Sequence, residues 1–228
     1  MKILAHRGYR DGPDPARENA LGAVVDCLAA GWGLEIDIRR TPGGRFYVSH
    51  ERLAESDPPP ADPYFEAIRT HRTAPVALNV KELGYESELV AYLRRAGVLD
   101  RLFLFDMELL EDNAGMTARR LREADPDVQI AARVSDRGES IARALSIDVA
   151  QVIWLDEFDR LWATEADIAA LKAAHKTVYA ISPEVHGFPE ADMLARWTQF
   201  AAWGVDGICT DYPARAARML ATGPGIPS

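Results

Sequence analysis

The sequence predicts a single α/β domain folded as a (β/α)8 TIM barrel, and three observations point there. Eight short apolar runs alternate with longer stretches whose apolar residues recur every three to four positions. The short runs are almost continuously apolar, as strands covered on both faces must be. The length, 228 residues, is ordinary for one such barrel. A doubly wound open sheet is the structural alternative.

In chain order the strand-like runs cover residues 2–6, 34–38, 76–80, 102–105, 128–133, 151–155, 177–181 and 207–209. Helical spacing is read over 21–30, 87–96, 117–124, 140–144, 165–174, 192–203 and 214–220. Thr41-Pro42-Gly43-Gly44 is a turn signal followed by a short extended run over 45–49, so the second strand is expected to double back. Residues 56–63, with four prolines, read as an exposed, stiff loop too short to link two domains. The barrel is expected over 1–221 and a flexible Gly/Pro tail over 222–228.

Composition narrows the function. Apolar residues make up 48% of the chain, enough for a substantial core, and the formal net charge is -9. A nucleic-acid ligand would need a basic face, so none is expected. Cys27 and Cys209 lie far apart, without metal spacing, and read as buried reduced thiols. No run is long and apolar enough for a signal peptide or a bilayer span, so a cytoplasmic location without stable membrane insertion is expected.

The chemistry concentrates near the start. A strand projects residues i and i+2 from one face, so Glu35 and Asp37 stand side by side, with His6 before them and His50 after. Two adjacent carboxylates repel unless a cation or proton lies between them, and two imidazoles move protons near neutral pH. Asn79 and Lys81 share a face by the same spacing at the end of the third run. Barrel active sites lie at the C-terminal ends of the strands, so these positions converge on one mouth. Arg39 shares the face of Glu35 and Asp37, whereas Arg40 points away. Asp106, Asp156, Glu157, Glu184 and His186 follow later strands, and Arg133 ends the fifth. Asp106, Asp156 and Glu184 are candidates to hold a hydroxyl-rich or cationic head group, and Arg133 is a further substrate-binding candidate. His186 is a spare proton carrier. Among the tryptophans only Trp154, on the sixth strand, is a candidate to face a ligand.

Ala5-His6-Arg7-Gly8, Glu18-Asn19, the run from Gly33 through Thr41, the run from Gly44 through His50, and the run from Gly204 through Pro213 together resemble the glycerophosphodiester phosphodiesterase family. The resemblance implies a TIM barrel, a divalent cation (Mg2+ or Ca2+), and cleavage of a small phosphodiester by a histidine pair, His6 and His50. It implies Glu35, Asp37 and Asn79 as metal ligands, Arg7 and Lys81 as phosphate-binding groups, and Glu18 near the site. Three departures stand out. Asn79 occupies a position that is usually glutamate, and its amide oxygen can ligate a hard cation without adding charge. His50 is followed by Glu51 rather than aspartate. The segment between His50 and Asn79 is short, so the family's inserted subdomain is expected to be reduced or absent. These departures keep two alternatives open: a phospholipase D-like or phosphoinositide phospholipase C-like lyase forming a cyclic phosphate, and a non-catalytic binder of phosphorylated head groups. An unrelated sugar-phosphate barrel enzyme is a further alternative, but the sequence carries no strand-7/8 phosphate-loop signature for it.

Overall fold

The computed structural model describes residues 1–53, 58–71 and 75–221. Nine strands form one sheet: β1 (Lys2–His6), β2 (Gly33–Arg40), β3 (Phe46–Val48), β4 (Val76–Val80), β5 (Leu102–Phe105), β6 (Gln129–Val134), β7 (Val152–Leu155), β8 (Thr177–Ile181) and β9 (Gly207–Thr210). Eight of them pair in parallel around a ring that β1 closes by pairing with both β9 and β2. Closure excludes the open-sheet alternative. β3 stands outside the ring, antiparallel to β2, with Ile38 opposite Val48, so the second strand does double back.

Each barrel strand is followed by a helix: α1 (Leu21–Ala29), α2 (Asp62–Thr70), α3 (Glu86–Arg95), α4 (Met116–Ala124), α5 (Ile141–Ser146), α6 (Glu165–Ala173), α7 (Glu190–Ala202) and α8 (Pro213–Ala221). The sequence reading lacks α2, and it takes Asp62 and Pro63 as part of a stiff exposed loop. In the structure Pro58 and Ala61 are buried and Pro63 lies in the first turn of α2. Proline is well tolerated there because the first helical N–H groups have no partner to lose. Tyr64, Phe65 and Ile68 then bury the inner face of α2. Between β3 and β4, α2 is the only helix or strand among the described residues, in keeping with a reduced insertion. Ser56, Asp57 and the 222–228 tail lie outside the described residues.

Alternation along the strands divides the core in two. On β2 and β4, Leu34, Ile36, Ile38, Val76, Leu78 and Val80 point outward under the helices. The other face of each strand fills the lumen with Leu4, Ala77, Phe103, Phe105, Ala131, Val152, Trp154, Tyr179, Ile181 and Cys209. The lumen is floored by aromatic packing, with Phe105 and Trp154 ring centroids 4.5 Å apart and Phe103 stacked on Tyr179 at 5.3 Å. Gly207 is fixed by this packing, since a Cβ there would stand 2.6 Å from the Tyr179 ring. Cys27 and Cys209 are free and buried. Among the described residues no helix is long and apolar enough to cross a membrane.

Candidate active site

The period of two that packs the lumen also delivers polar side chains to its open end. Above the inward apolar residues of each strand stand His6 on β1, Glu35 and Asp37 on β2, Asn79 at the end of β4 with Lys81 after it, Arg133 on β6 and Asp156 after β7. All of them line one cavity of about 330 Å³, together with Arg7, His50, Asp106 and His186. Phe105, Trp154, Phe158, Ile181 and Val185 supply its apolar surface. Two larger hollows, of about 520 and 750 Å³, share Asp100, Gln129 and Thr177 and carry no histidine.

One wall is built around His6 and the acidic pair. His6 Nδ1 lies 2.7 Å from Asp211 Oδ1, and Nε2 lies 3.9 Å from Glu35 Oε2. Burial works against protonation of His6, but the Asp211 hydrogen bond and the nearby Glu35 outweigh it, so its pKa lies above the ordinary value. Burial, reinforced by the charge on Asp37, pushes the Glu35 carboxyl upward. Asp37 is buried too, yet its pKa is lowered by Lys81, whose Nζ is 2.9 Å away, by a hydrogen bond from Asn19 Nδ2 at 3.0 Å, and by Arg7. Adjacent carboxyls on one strand thus hold unequal affinities for a proton, because Asp37 has the direct Lys81 and Asn19 contacts while Glu35 has burial and the Asp37 charge against it. Arg39 serves neither of them.

The opposite wall is a chain of charged groups. Asn79 Nδ2 donates to Asp106 Oδ2 at 3.0 Å. Asp106 receives a two-pronged grip from Arg133, Nε at 2.9 Å and Nη2 at 2.7 Å. Arg133 Nη1 reaches Asp156 Oδ2, and the other Asp156 oxygen bonds His186 Nε2. Phe158 packs on both the His186 ring and the Arg133 guanidinium. Backbone strain gathers at this mouth. Of four non-glycine residues with positive φ among the described residues, Arg7 (48°), Asn19 (52°) and Asp106 (71°) surround it. Such conformations cost on the order of 1–3 kcal/mol each and persist where the surroundings over-determine them.

His50 reaches the cavity from the loop after β3, although 32% of its side chain is exposed. Its Nδ1 pairs with the exposed Glu51 at 2.7 Å, and its carbonyl oxygen is gripped by Arg39 Nε and Nη2 at 3.0 and 2.7 Å. Two candidate residues are not on the cavity wall. Glu18 bonds Arg7 Nη1 and the Tyr9 hydroxyl, each at 3.0 Å. Glu184 turns away from the mouth and accepts hydrogen bonds from the Ser182 and Thr210 hydroxyls and from the Asp211 N–H. Its work is to shape the loop that presents Asp211. Glu157 faces outward into a buried pair with Arg196. Sequence reasoning gave no role to Asp211, Asn19, Phe105 or Phe158. Asp211 was within reach, because it follows Cys209 by two positions and so continues the inward face of β9.

The donor set fits a divalent cation of the kind the resemblance implies. Glu35 Oε2 and Asn79 Oδ1 are buried, line the cavity and have no hydrogen-bond donor. Asp37 stands beside Asn79 in the β2–β4 register. Oxygen ligands of this kind suit Mg2+ or Ca2+. Among the described residues no group of three or more His, Cys, Asp or Glu side chains is arranged to hold a metal, so a cation held here would need the neutral Asn79 amide as its third donor.

No family model and no curated protein sequence matches the chain. Solved structures do. A candidate glycerophosphodiester phosphodiesterase from Galdieria sulphuraria superposes with a TM-score of 0.75 at 18% identity, over 96% of this chain and 97% of that one. A glycerophosphodiester phosphodiesterase from Parabacteroides distasonis gives 0.73 at 14% identity, over 97% of each chain. A phosphodiesterase from Oleispira antarctica, in complex with the product sn-glycerol-3-phosphate, gives 0.69 at 16%, again over 97% of each. The chain shares its barrel with these proteins along nearly its whole length.

Proposed function

We propose that the chain is a phosphodiesterase that cleaves a small phosphodiester of the glycerophosphodiester class by histidine acid–base chemistry. The observation that carries this reading is the pairing of His6 with Asp211 in a cavity that His50 also enters. With its Nδ1 proton given to Asp211, His6 presents the lone pair of Nε2 to the cavity. It can take a proton from the attacking oxygen, either water or a neighbouring hydroxyl of the substrate, as the new P–O bond forms. His50, protonated, gives its proton to the alkoxide that leaves. Arg7 and Lys81 offset charge on the phosphate oxygens.

Charge balance supports a cation. Arg7, Lys81 and Arg133 face the four carboxyl groups of Glu35, Asp37, Asp106 and Asp156 around the cavity, so these side chains hold no surplus positive charge for a phosphate when the proton that burial favours on Glu35 is lost. A phosphodiester anion finds little net attraction there. A divalent cation held by Glu35, Asp37 and Asn79 supplies the positive charge that makes the cavity attractive to phosphate and draws electrons from phosphorus. The likeness to phosphodiesterases of the same barrel supports the reaction class, and the cavity volume suits a head-group diester.

One observation favours a second reading. Lys81 already sits on Asp37 and the third donor is a neutral amide, an arrangement that suits a metal-independent lyase yielding a cyclic phosphate. Hydrolysis of a chromogenic phosphodiester and of several glycerophosphodiesters, with Mg2+, Ca2+, Mn2+ or chelator, separates the two. Metal-dependent turnover lost by about 10²-fold or more in both His6→Ala and Glu35→Ala is the expected result. Chelator-resistant turnover with a cyclic product moves the assignment to the lyase. No turnover of any diester overturns both.

A further inference from the structure

The ring order sets β6 across the barrel from β1, and β7 across from β2. The run Asp106–Arg133–Asp156–His186 therefore faces His6 and the acidic pair across the cavity, and the proton transfers assigned above do not use it. Resting on the phosphodiesterase reading, we propose that this wall is a subsite for a polyhydroxylated alcohol of the diester, such as a polyol or sugar alcohol, and that it discriminates against quaternary-ammonium head groups.

The chemistry of the wall selects the ligand. Arg133 spends one N–H from each of its three nitrogens on Asp106 and Asp156, which leaves one N–H on each Nη. Asp156 accepts one hydrogen bond from this wall at each oxygen, and Asp106 Oδ1 accepts one, so acceptor capacity remains beside those donors. Hydroxyl groups both donate and accept, and they match such an alternating surface. A second phosphate or carboxylate does not, because one guanidinium shared by two carboxylates leaves the wall negative. A quaternary ammonium is drawn by the wall's charge but offers no hydrogen bond, and seating it would strip water from these paired groups without replacing the hydrogen bonds, a cost that a hydroxyl-rich group does not meet. Sites built to pair with hydroxyls reject analogues that lack them far more strongly than apolar pockets discriminate size. The aromatic face of Phe158 is already covered by the guanidiniums of Arg133 and Arg137, so it forms no open cage for such a cation. The wall is also rigid. Asp156 is 2% exposed, and Asp106 is gripped at both oxygens.

The test compares glycerophosphoinositol with glycerophosphocholine, by kcat/KM and by calorimetric binding to the inactive His6→Ala protein. Asp156→Asn and His186→Ala are examined in both formats. The expected wild-type preference for the inositol diester is about 100-fold or more in kcat/KM. Each substitution should shrink that ratio at least tenfold, chiefly by raising KM for the inositol diester. Equal kcat/KM for the two diesters, or a ratio that neither substitution changes, overturns the proposal. His186 lies at the rim, so His186→Ala decides the matter if Asp156→Asn does not fold. If no diester is turned over, the phosphodiesterase reading falls by itself and calorimetry judges the subsite. Selective binding of the inositol compound, weakened by His186→Ala, supports the subsite. Equal binding of both compounds, or of neither, overturns it.

Discussion

His6 Nδ1 and Asp211 Oδ1 stand 2.7 Å apart although 205 positions separate them in sequence. Closure of the ring makes the contact possible, because β1 and β9 are adjacent strands. Asp211 is buried, fixes which imidazole nitrogen faces the cavity, and raises the pKa of His6. Asp211→Asn removes the charge and lets an amide donate to Nδ1, which turns the wrong tautomer toward substrate. We expect kcat/KM to fall by about 10²–10⁴-fold. The acid limb of its pH profile should move to lower pH, because His6 loses the partner that stabilises its protonated form. A loss of rate with an unmoved limb would assign Asp211 a purely structural part.

Asn79 is neutral where a third carboxylate would strengthen a cation site. Asn79→Asp should tighten Mg2+ or Ca2+ binding by about tenfold or more, since an added charge beside Asp37 is neutralised only when the ion is bound. The same change turns a donor to Asp106 into a second acceptor facing it. Without metal the variant should lose about 1–3 kcal/mol of stability. Thermal melts with chelator and with excess cation read both effects, because a ligand that binds only the folded state returns stability by mass action. Equal melting shifts on adding metal to the variant and to the wild type would remove Asn79 from the donor set.

Much of this site was legible because a strand's period of two is strict. Once 34–38 and 76–80 are read as strands, Glu35, Asp37, Asn79 and Lys81 must share the lumen, and the same step places Arg133 and Asp156 there. Reading failed where that periodicity stops. Glu184 lies in the loop after β8, where hydrogen bonds to Ser182, Thr210 and Asp211 decide its direction. Asn19 reaches Asp37 from a loop position with a positive φ, which no strand periodicity describes. Helix α2 was hidden by the prolines before it, which signal an irregular loop but also suit a helix's first turn. Asp211 was missed because the last strand was ended at Cys209, one residue before Thr210 closes β9.

Arg39 holds the second histidine without itself lining the cavity. Two of its nitrogens converge on the His50 carbonyl, and Nη1 is tied to Glu82 at 2.8 Å. Lysine keeps the charge but cannot grip one oxygen and Glu82 together with a planar fork. Arg39→Lys should lower kcat by about 10–100-fold, because small misplacement of a proton donor is costly. Stability should change little, since Arg39 lies at the half-buried end of β2. Faster amide exchange at residues 49–53 should accompany the loss. Unchanged exchange with a lowered kcat would mean that Arg39 acts by charge instead.

Glu108 gives the fold its own pH signature. It is buried, its Oε1 accepts the Arg133 N–H at 2.7 Å, and burial pushes its carboxyl up to about 7. The unfolded carboxyl titrates near its ordinary value of 4.5, so between those two values the folded state binds the proton more tightly. Stability from this group is therefore fully present below about pH 4.5, declines as pH rises toward 7, and is level above it. The whole excursion is on the order of 3 kcal/mol. Glu108→Gln keeps the acceptor for the Arg133 N–H and cannot ionise. The stability of the variant relative to wild type should therefore grow by about that amount between pH 4.5 and 8, as read by urea unfolding at several pH values. Taking the difference cancels His6, Glu35 and the other groups common to both proteins. A difference that stays constant across that range would mean that Glu108 titrates as a solvated carboxylate does, and that the hydrogen bonds it accepts, the one from β6 included, offset the whole burial cost.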